Sequence, residues 1–322
     1  MHDERQPSNS TSPYPPNISG LTRTDRMRSM NSGILFALGA YLSWGLFPLY
    51  FRQIASIPAL QIVAHRTLWS LAFVAVVLLV TRHLAWLRTV SAATWRRFAV
   101  SALLIAINWL TYVWAVGHGH VVDAALGYFI NPLVNVALGF AVLHERPRPV
   151  QWLAVGLAAL GVLWLTVAGG KLPWVALVLA ISFGLYGLMR KTAALGAIEG
   201  LTLETLVLAP LAAAGLLWWS QDGSMVGQTA VDWAWLIGTG PVTAGSLLLF
   251  AAGARRIPLA TLGIVQYVSP SLQFLLGVFL FKEPMDATRL VAFGFIWAAL
   301  AIYSLDGLRL AWQRPRGDTS PA

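Results

Sequence analysis

Ten long apolar runs dominate this sequence. They fall at about 33–51, 59–80, 98–117, 121–143, 150–168, 173–190, 200–219, 232–253, 257–281 and 287–306. Most are close to the roughly 20 residues an α-helix needs to cross the hydrocarbon layer. Strands of a membrane β-barrel would be about ten residues long and would alternate in polarity, which these runs do not. Inside hydrocarbon a helix satisfies its own backbone hydrogen bonds. The runs therefore predict an all-α polytopic membrane protein with ten transmembrane helices. Composition excludes the alternatives: 57% of the residues are hydrophobic and only 11% charged, against about 25% charged in soluble chains. An ordinary cytosolic enzyme, a nucleic-acid binder and a disordered chain do not fit these values.

The basic residues orient the bundle. With the amino terminus in the cytoplasm, the inner segments hold Arg5, Arg23, Arg26, Arg28, Arg82, Arg88, Arg96, Arg97, Arg146, Arg148, Arg190, Lys191, Arg255, Arg256, Arg309, Arg314 and Arg316. The outer segments hold only Arg52, Lys171, Lys282 and Arg289, and Arg66 falls within a span. Cytoplasmic loops carry such an excess, so both termini are expected inside. The net charge of +9 then marks topology, not a nucleic-acid footprint. Residues 1–30 are polar and lack apolar periodicity, which predicts a disordered cytoplasmic tail. The run at 33–51 is read as an uncleaved first span, since it carries Trp44 and lacks a clear small-x-small cleavage site. The absence of cysteine excludes disulfides, thiolate metal ligands and a cysteine nucleophile.

A weak internal repeat divides the spans. Pro132, Gly139, Glu145, Ala154 and Gly156 recur as Pro270, Gly277, Glu283, Ala292 and Gly294 at a spacing of 138. Ser43-Trp44-Gly45 recurs as Ser182-Phe183-Gly184 at 139, and Thr67-Leu68 as Thr205-Leu206 at 138. Gly117, Ala124 and Gly127 recur as Gly253, Ala260 and Gly263 at 136. Five spans per unit, an odd number, would put the halves in opposite orientation. The expected organisation is two inverted five-helix repeats, 31–168 and 173–308, with a tail at 309–322. Inverted repeats are the architecture of secondary transporters; a duplication kept only for packing is the competing reading.

Several residues are candidates for a site between the halves. Pro132 and Pro270 lie near the middle of spans four and nine. Each is expected to break a helix and free the carbonyl four residues earlier, at Tyr128 and Gln266, which marks them as hinges. Tyr128, Asn131 and Asn135 share one helix face, and Gln266, Ser269 and Gln273 repeat the spacing. Asn108, Thr111 and Tyr112 form a third polar stripe. Such groups are expected to point inward, to line a substrate site or to bond helix to helix. His65 and Arg66 lie about two turns into span two. Arg66 would attract anionic or carbonyl groups from a cavity, or snorkel to headgroups; His65 is a titratable neighbour or a structural donor. Glu204, repeat-equivalent to Arg66, is the candidate coupling group for a proton or cation, or a residue of the cytoplasmic rim. Trp44 and its counterpart Phe183 are expected to stack on substrate. Trp114, Trp218, Trp219, Trp233 and Trp235 read as interfacial anchors. His118, His120 and Asp123 read as a solvated loop, not a metal site. The Gly-rich stretches 156–161 and 238–245 are expected to allow close helix packing. Gly169-Gly170-Lys171 lacks the flanking residues of a P-loop, so no ATPase is expected.

The segments AYLSWGLFPLYF (40–51), HRTLWS (65–70), NWLTYVWAV (108–116), LGYFINPLVNVALG (126–139) and QYVSPSLQFLLGV (266–278) resemble the RarD family. These are EamA-domain permeases of the drug/metabolite transporter superfamily. The resemblance covers nearly all of residues 33 to 310. It implies a ten-span transporter with inverted halves and a central cavity, in the bacterial inner membrane. It also implies a small-metabolite substrate, often exported, with a proton or counter-solute as coupling partner in some members. No cofactor, nucleic acid or ATPase subunit is expected. Two other classes compete. An intramembrane enzyme acting on lipid head groups would need an acid/base or metal cluster, and the charged groups are scattered. A sensor or scaffold would need signalling surface that short loops do not provide.

Overall fold

The computed structural model describes residues 23–191, 195–226, 229–254, 256–257 and 265–313. All regular structure among them is helical. The helices are α1 (Arg23–Arg52), α2 (Ala59–Val80), α3 (Ala92–Gly117), α4 (Val121–Leu143), α5 (Pro149–Gly169), α6 (Trp174–Lys191), α7 (Ala197–Gln221), α8 (Ala230–Ala254), α9 (Val268–Leu275) and α10 (Ala287–Gln313). A short 3-10 turn, Ala85–Thr89, sits between α2 and α3, and a π-turn, Leu276–Leu280, extends α9. Eight helices are long and apolar enough to cross a membrane, and Trp174–Arg190 and Val268–Leu280 are shorter apolar helices. The chain is thus a multi-pass helical membrane protein. Part of the ninth apolar run, 258–264, lies outside the described residues, as does the polar stretch up to residue 22. α1 starts at Arg23, nearly three turns ahead of its apolar run, so the last residues of the expected disordered tail are helical.

Contacts between helix ends show α2 running antiparallel to α7, and α3 to α6. Gln61, at the start of α2, donates to the carbonyl of Ser224 just after α7 (2.9 Å). His83, just after α2, meets Glu199 at the start of α7 (2.9 Å). Trp114, near the end of α3, packs on Trp174 at the start of α6. The start of α4 is capped from afar. The Glu283 carboxylate accepts the Val121 N–H (2.7 Å) and the Val122 N–H (2.8 Å). A carboxylate there satisfies orphan donors and complements the helix dipole. The turns after α4 and α9 share one local geometry. His144 and Lys282 both adopt a left-handed conformation (φ 54° and 56°), and the Glu145 and Glu283 N–H groups bond the Gly139 and Gly277 carbonyls (3.0 Å each).

The helix pairs follow a simple rule. α1 packs on α8, and α6 on α3. α2 packs on α8, and α7 on α3. α4 packs on α6, and α9 on α1. α2 with α7, α4 with α9 and α5 with α10 also pair. Exchanging each helix for the one five places away maps these pairs onto themselves. α2 and α3 are the most enclosed helices and α5 the least. Large apolar side chains such as Leu35, Val80, Val167, Leu211 and Trp218 stand on the outer surface, where lipid is their natural solvent.

Two glycines set how closely helices approach. A Cβ on Gly127 (α4) would lie 2.7 Å from the Ala176 carbonyl oxygen of α6, and one on Gly240 (α8) would collide with the backbone of Trp69 (α2). Gly161 likewise faces Ala292 of α10 at 3.0 Å, whereas Gly156 and Gly245 face open space. Only part of each Gly-rich stretch therefore serves packing. Gly127→Val should lower stability by about 1–3 kcal/mol or prevent folding, as overpacking does. Gly156→Ala should hold or gain up to about 1 kcal/mol, from helix propensity. Thermal unfolding midpoints and monodisperse yield in detergent check both.

Candidate functional site

Arg66, about two turns into its helix, is a charge enclosed by the bundle. It lies on α2, is only 4% exposed, and donates from Nε to Thr243 Oγ1 on α8 at 2.9 Å. Aromatic rings wall its guanidinium. The carbon lies 4.2 Å from the Trp109 ring centroid, 5.5 Å from Phe51 and 5.7 Å from Phe47. Among the described residues no carboxylate lies within ion-pair distance of it. Arg66 therefore does not snorkel to the surface. Its charge is held by ring faces and one hydroxyl.

Tyr112 and Tyr128 stand within electrostatic reach of Arg66 and contact each other, ring centroids 5.9 Å apart. The Tyr128 hydroxyl donates to Asn108 Oδ1 at 3.3 Å. Asn108 Nδ2 in turn donates to the Leu179 carbonyl (3.2 Å) and to Ser182 Oγ (3.1 Å), both on α6. Asn131 Nδ2 reaches the Ala180 carbonyl (3.1 Å), and Asn135 Nδ2 reaches Asn131 Oδ1 (3.1 Å). The polar stripes of α3 and α4 thus converge on one segment of α6. Tyr112 Oη is buried with no hydrogen-bond partner. Asn135 departs from expectation: it is exposed, at the open edge of the α4–α6 contact.

Trp44 belongs to a neighbouring cluster. Its Nε1 donates to Ser246 Oγ at 2.8 Å, and its ring packs on Tyr41 and Phe250. Gln273 Nε2 donates to the Trp44 carbonyl (3.1 Å) and to Ser269 Oγ (3.2 Å). Gln266 stands apart and half-buried. Its carbonyl was expected to be freed by Pro270, but it accepts the Ser269 N–H at 3.3 Å. The helix is already interrupted at Gln266–Tyr267, and Pro270 falls in the first turn of α9, where a missing N–H costs nothing. α4, by contrast, runs on through Pro132, and α1, α7 and α8 also carry internal prolines. The two prolines are therefore not an equivalent pair of breaks. His65 is buried edge-on against Trp233 (5.2 Å), and Tyr50 donates to the Trp235 carbonyl. These two tryptophans thus have partners within the bundle. His120 meets Asp123 at 2.8 Å, and Asp123 faces Arg289 at 3.6 Å.

Glu204 lies elsewhere, near the opposite end of the bundle. It is 1% exposed. Ser101 Oγ of α3 donates to it at 2.6 Å, and the Tyr186 hydroxyl of α6 at 3.3 Å. Arg190 Nη1 stands 3.9 Å away. Arg190 also donates from Nη2 to the Gly196 carbonyl (2.9 Å) and lies over the Phe98 ring. Gly200 leaves the space its guanidinium occupies. Sequence reading missed Arg190, Ser101, Thr243 and Trp109. Ser101 is one such residue a pattern could have found, since Ser101, Ile105, Asn108 and Tyr112 follow one buried face of α3.

Glu204 is enclosed, while Arg190 is 18% exposed and its Nη1 stands 3.9 Å away without a hydrogen bond, so losing Arg190 leaves a buried carboxylate short of a partner at about 1–3 kcal/mol. Arg190→Gln should therefore lower the unfolding midpoint. Adding Glu204→Gln to it should recover most of the loss, which a double-mutant cycle in detergent measures.

The chain resembles proteins of one family. Residues 31–167 match the model of the EamA-like transporter family. An uncharacterized transporter of Pseudomonas aeruginosa is 49% identical, covering 89% of this chain and 98% of the relative. Protein RarD of Escherichia coli is 45% identical over 87% and 96%. The chloramphenicol-sensitive protein RarD of Pseudomonas aeruginosa is 32% identical over 90% and 99%. A solved crystal structure superposes with a TM-score of 0.58, covering 87% of this chain and 99% of the other at 20% identity, which speaks to the fold alone. With relatives this similar along nearly their whole length, the chain belongs to the EamA-like transporter family, among its RarD members.

Proposed function

We propose that this chain is a secondary transporter of the inner membrane that moves a small metabolite or drug-like solute by alternating access, as export or exchange. It spans the membrane ten times, as two inverted halves at 31–168 and 173–308, with both termini in the cytoplasm. The observation that carries this reading is the packing rule: the main helix pairs survive exchange of each helix for the one five places away. Two equivalent halves meeting along α2–α7 and α4–α9 have two equivalent ways to rock, each opening one end. The matching turns after α4 and α9 support the same division.

The polar clusters take complementary roles. Arg66, Asn108, Tyr112, Tyr128 and Asn131, with His65, Trp44, Ser269, Gln266 and Asn135 around them, form the substrate path. Glu204, tied to α3 and α6, closes the cytoplasmic end. Protonating its carboxylate would weaken its hold on Arg190 and loosen that end, which is how a proton gradient would couple to opening. Small-molecule substrate, bilayer lipid and a proton or counter-solute are the partners on this reading; nucleic acid and an ATPase subunit are not. Names of relatives as transporters favour transport over intramembrane catalysis.

Proteoliposomes loaded with a broad metabolite mixture test the proposal, with efflux followed by mass spectrometry under pH and ion gradients. At least one solute should leave protein-containing vesicles faster than empty ones. Glu204→Gln should abolish the response of that flux to a pH gradient. No movement of any solute under any gradient would sink the transport reading, and an unchanged pH response would make Glu204 structural.

A further inference from the structure

A guanidinium has five N–H donors in one plane and two apolar faces. At Arg66 the faces are taken by Trp109, Phe51 and Phe47, and Nε by Thr243. Among the described residues no hydrogen bond or ion pair engages the four N–H groups on the two Nη atoms. Aromatic faces stabilise the cation electrostatically, but they do not supply in-plane acceptors. Tyr112 Oη, buried and without a partner among the described residues, belongs to a ring packed edge-on against Phe51 (centroids 6.1 Å), one of the rings that wall the guanidinium. Among the described residues the bundle thus holds a cation edge without a protein acceptor, on a residue 4% exposed, and a buried phenol without a hydrogen-bond partner. Such groups are costly inside a membrane unless something pairs with them.

The second half shows what is missing. Phe47, Phe51 and Arg66 align with Tyr186, Arg190 and Glu204, at spacings of 139, 139 and 138. In the second half the aligned positions compensate one another, since Glu204 has Arg190 at 3.9 Å and the Tyr186 hydroxyl at 3.3 Å. In the first half the same positions give a cation and two phenyl rings. We propose that the missing anion is part of the solute: Arg66 and Tyr112 receive the carboxylate of a monoanionic organic acid whose flat apolar body lies against Trp109, Phe47 and Phe51. This inference rests on the transport reading for how the acid comes and goes.

The chemistry selects among anions. A planar carboxylate matches the guanidinium edge through two parallel hydrogen bonds. One guanidinium with one phenol balances a single negative charge, and among the described residues no second Lys or Arg shares its contacts for a phosphate dianion. Phe47 also walls a groove of about 410 Å³ between α1 and α8, lined by Ser43, Tyr50, Trp235 and Val242. The groove is open, and Phe47 is the residue it shares with the walls of the Arg66 guanidinium.

Purified full-length protein in nanodiscs, titrated with benzoate, benzamide and inorganic phosphate at constant ionic strength, tests this through thermal unfolding. Benzoate should raise the midpoint with concentration, while benzamide and phosphate should not. Arg66→Met should keep or raise the unliganded midpoint, because it removes an unpaired buried charge, and should weaken benzoate roughly 30-fold or more. If Arg66→Met does not fold, Arg66→Lys takes its place: losing the planar fork should still weaken benzoate. No benzoate shift, an equal phosphate shift, or an undiminished shift in the folded Arg66 variant would overturn the proposal. The readout is equilibrium binding. Benzoate binding without flux of any solute would sink the transport reading alone, and flux without benzoate binding would sink only this one.

Discussion

Hydrocarbon offers no hydrogen bonds, so every polar group in this bundle depends on what the protein supplies. That constraint organises the structure. Asn108 and Asn131 reach carbonyls of α6, Arg66 reaches Thr243, Trp44 reaches Ser246, Gln273 reaches the Trp44 carbonyl and Ser101 reaches Glu204. Glu283 caps α4. Each of these bonds joins a helix among α1–α5 to one among α6–α10, or, for Glu283, to the turn between α9 and α10. Interhelical bonds in membranes average only about 0.6 kcal/mol. Together they specify how the two groups of helices sit, yet individually they are cheap to exchange. An interface built this way can hold one arrangement and give it up for another.

The two groups are alike in packing and unlike in chemistry. Aligned positions carry a self-compensated acid in one and an uncompensated base in the other. The proposed rocking interface uses the symmetry, and the proposed ligand site and latch use its local breaking. Close approach at Gly127 and Gly240 keeps the helices near enough for short polar side chains to bridge them. Large residues at those positions would separate the bonds on which the register depends.

Much of this was legible in the sequence. Long apolar runs gave the all-helical, multi-pass class and the approximate helix positions, because the bilayer imposes one length; α1 and α3 begin well ahead of their runs. Buried polar residues were legible as a class, since Asn108, Asn131, Arg66 and Glu204 have no reason to sit in spans otherwise. Their partners were not, because a partner such as Thr243 or Ser101 is an unremarkable residue brought close only by packing. Spacing cannot tell an inward amide from one at an open edge, which is why Asn135 was misjudged. Pro270 was misread because its effect depends on where the helix restarts, two residues earlier at Val268. Glu283 stood out only as a repeat match, and its role depends on the start of α4, far away in the chain.

The central claim is that the Arg66 site is reached alternately from the two sides of the membrane. The natural chain has no cysteine, so a single Thr243→Cys variant carries one reactive thiol beside Arg66. Its labelling by a membrane-impermeant thiol reagent can be measured in right-side-out and inside-out vesicles. The account predicts labelling from both sides. Labelling from only one side, or from neither, would contradict it.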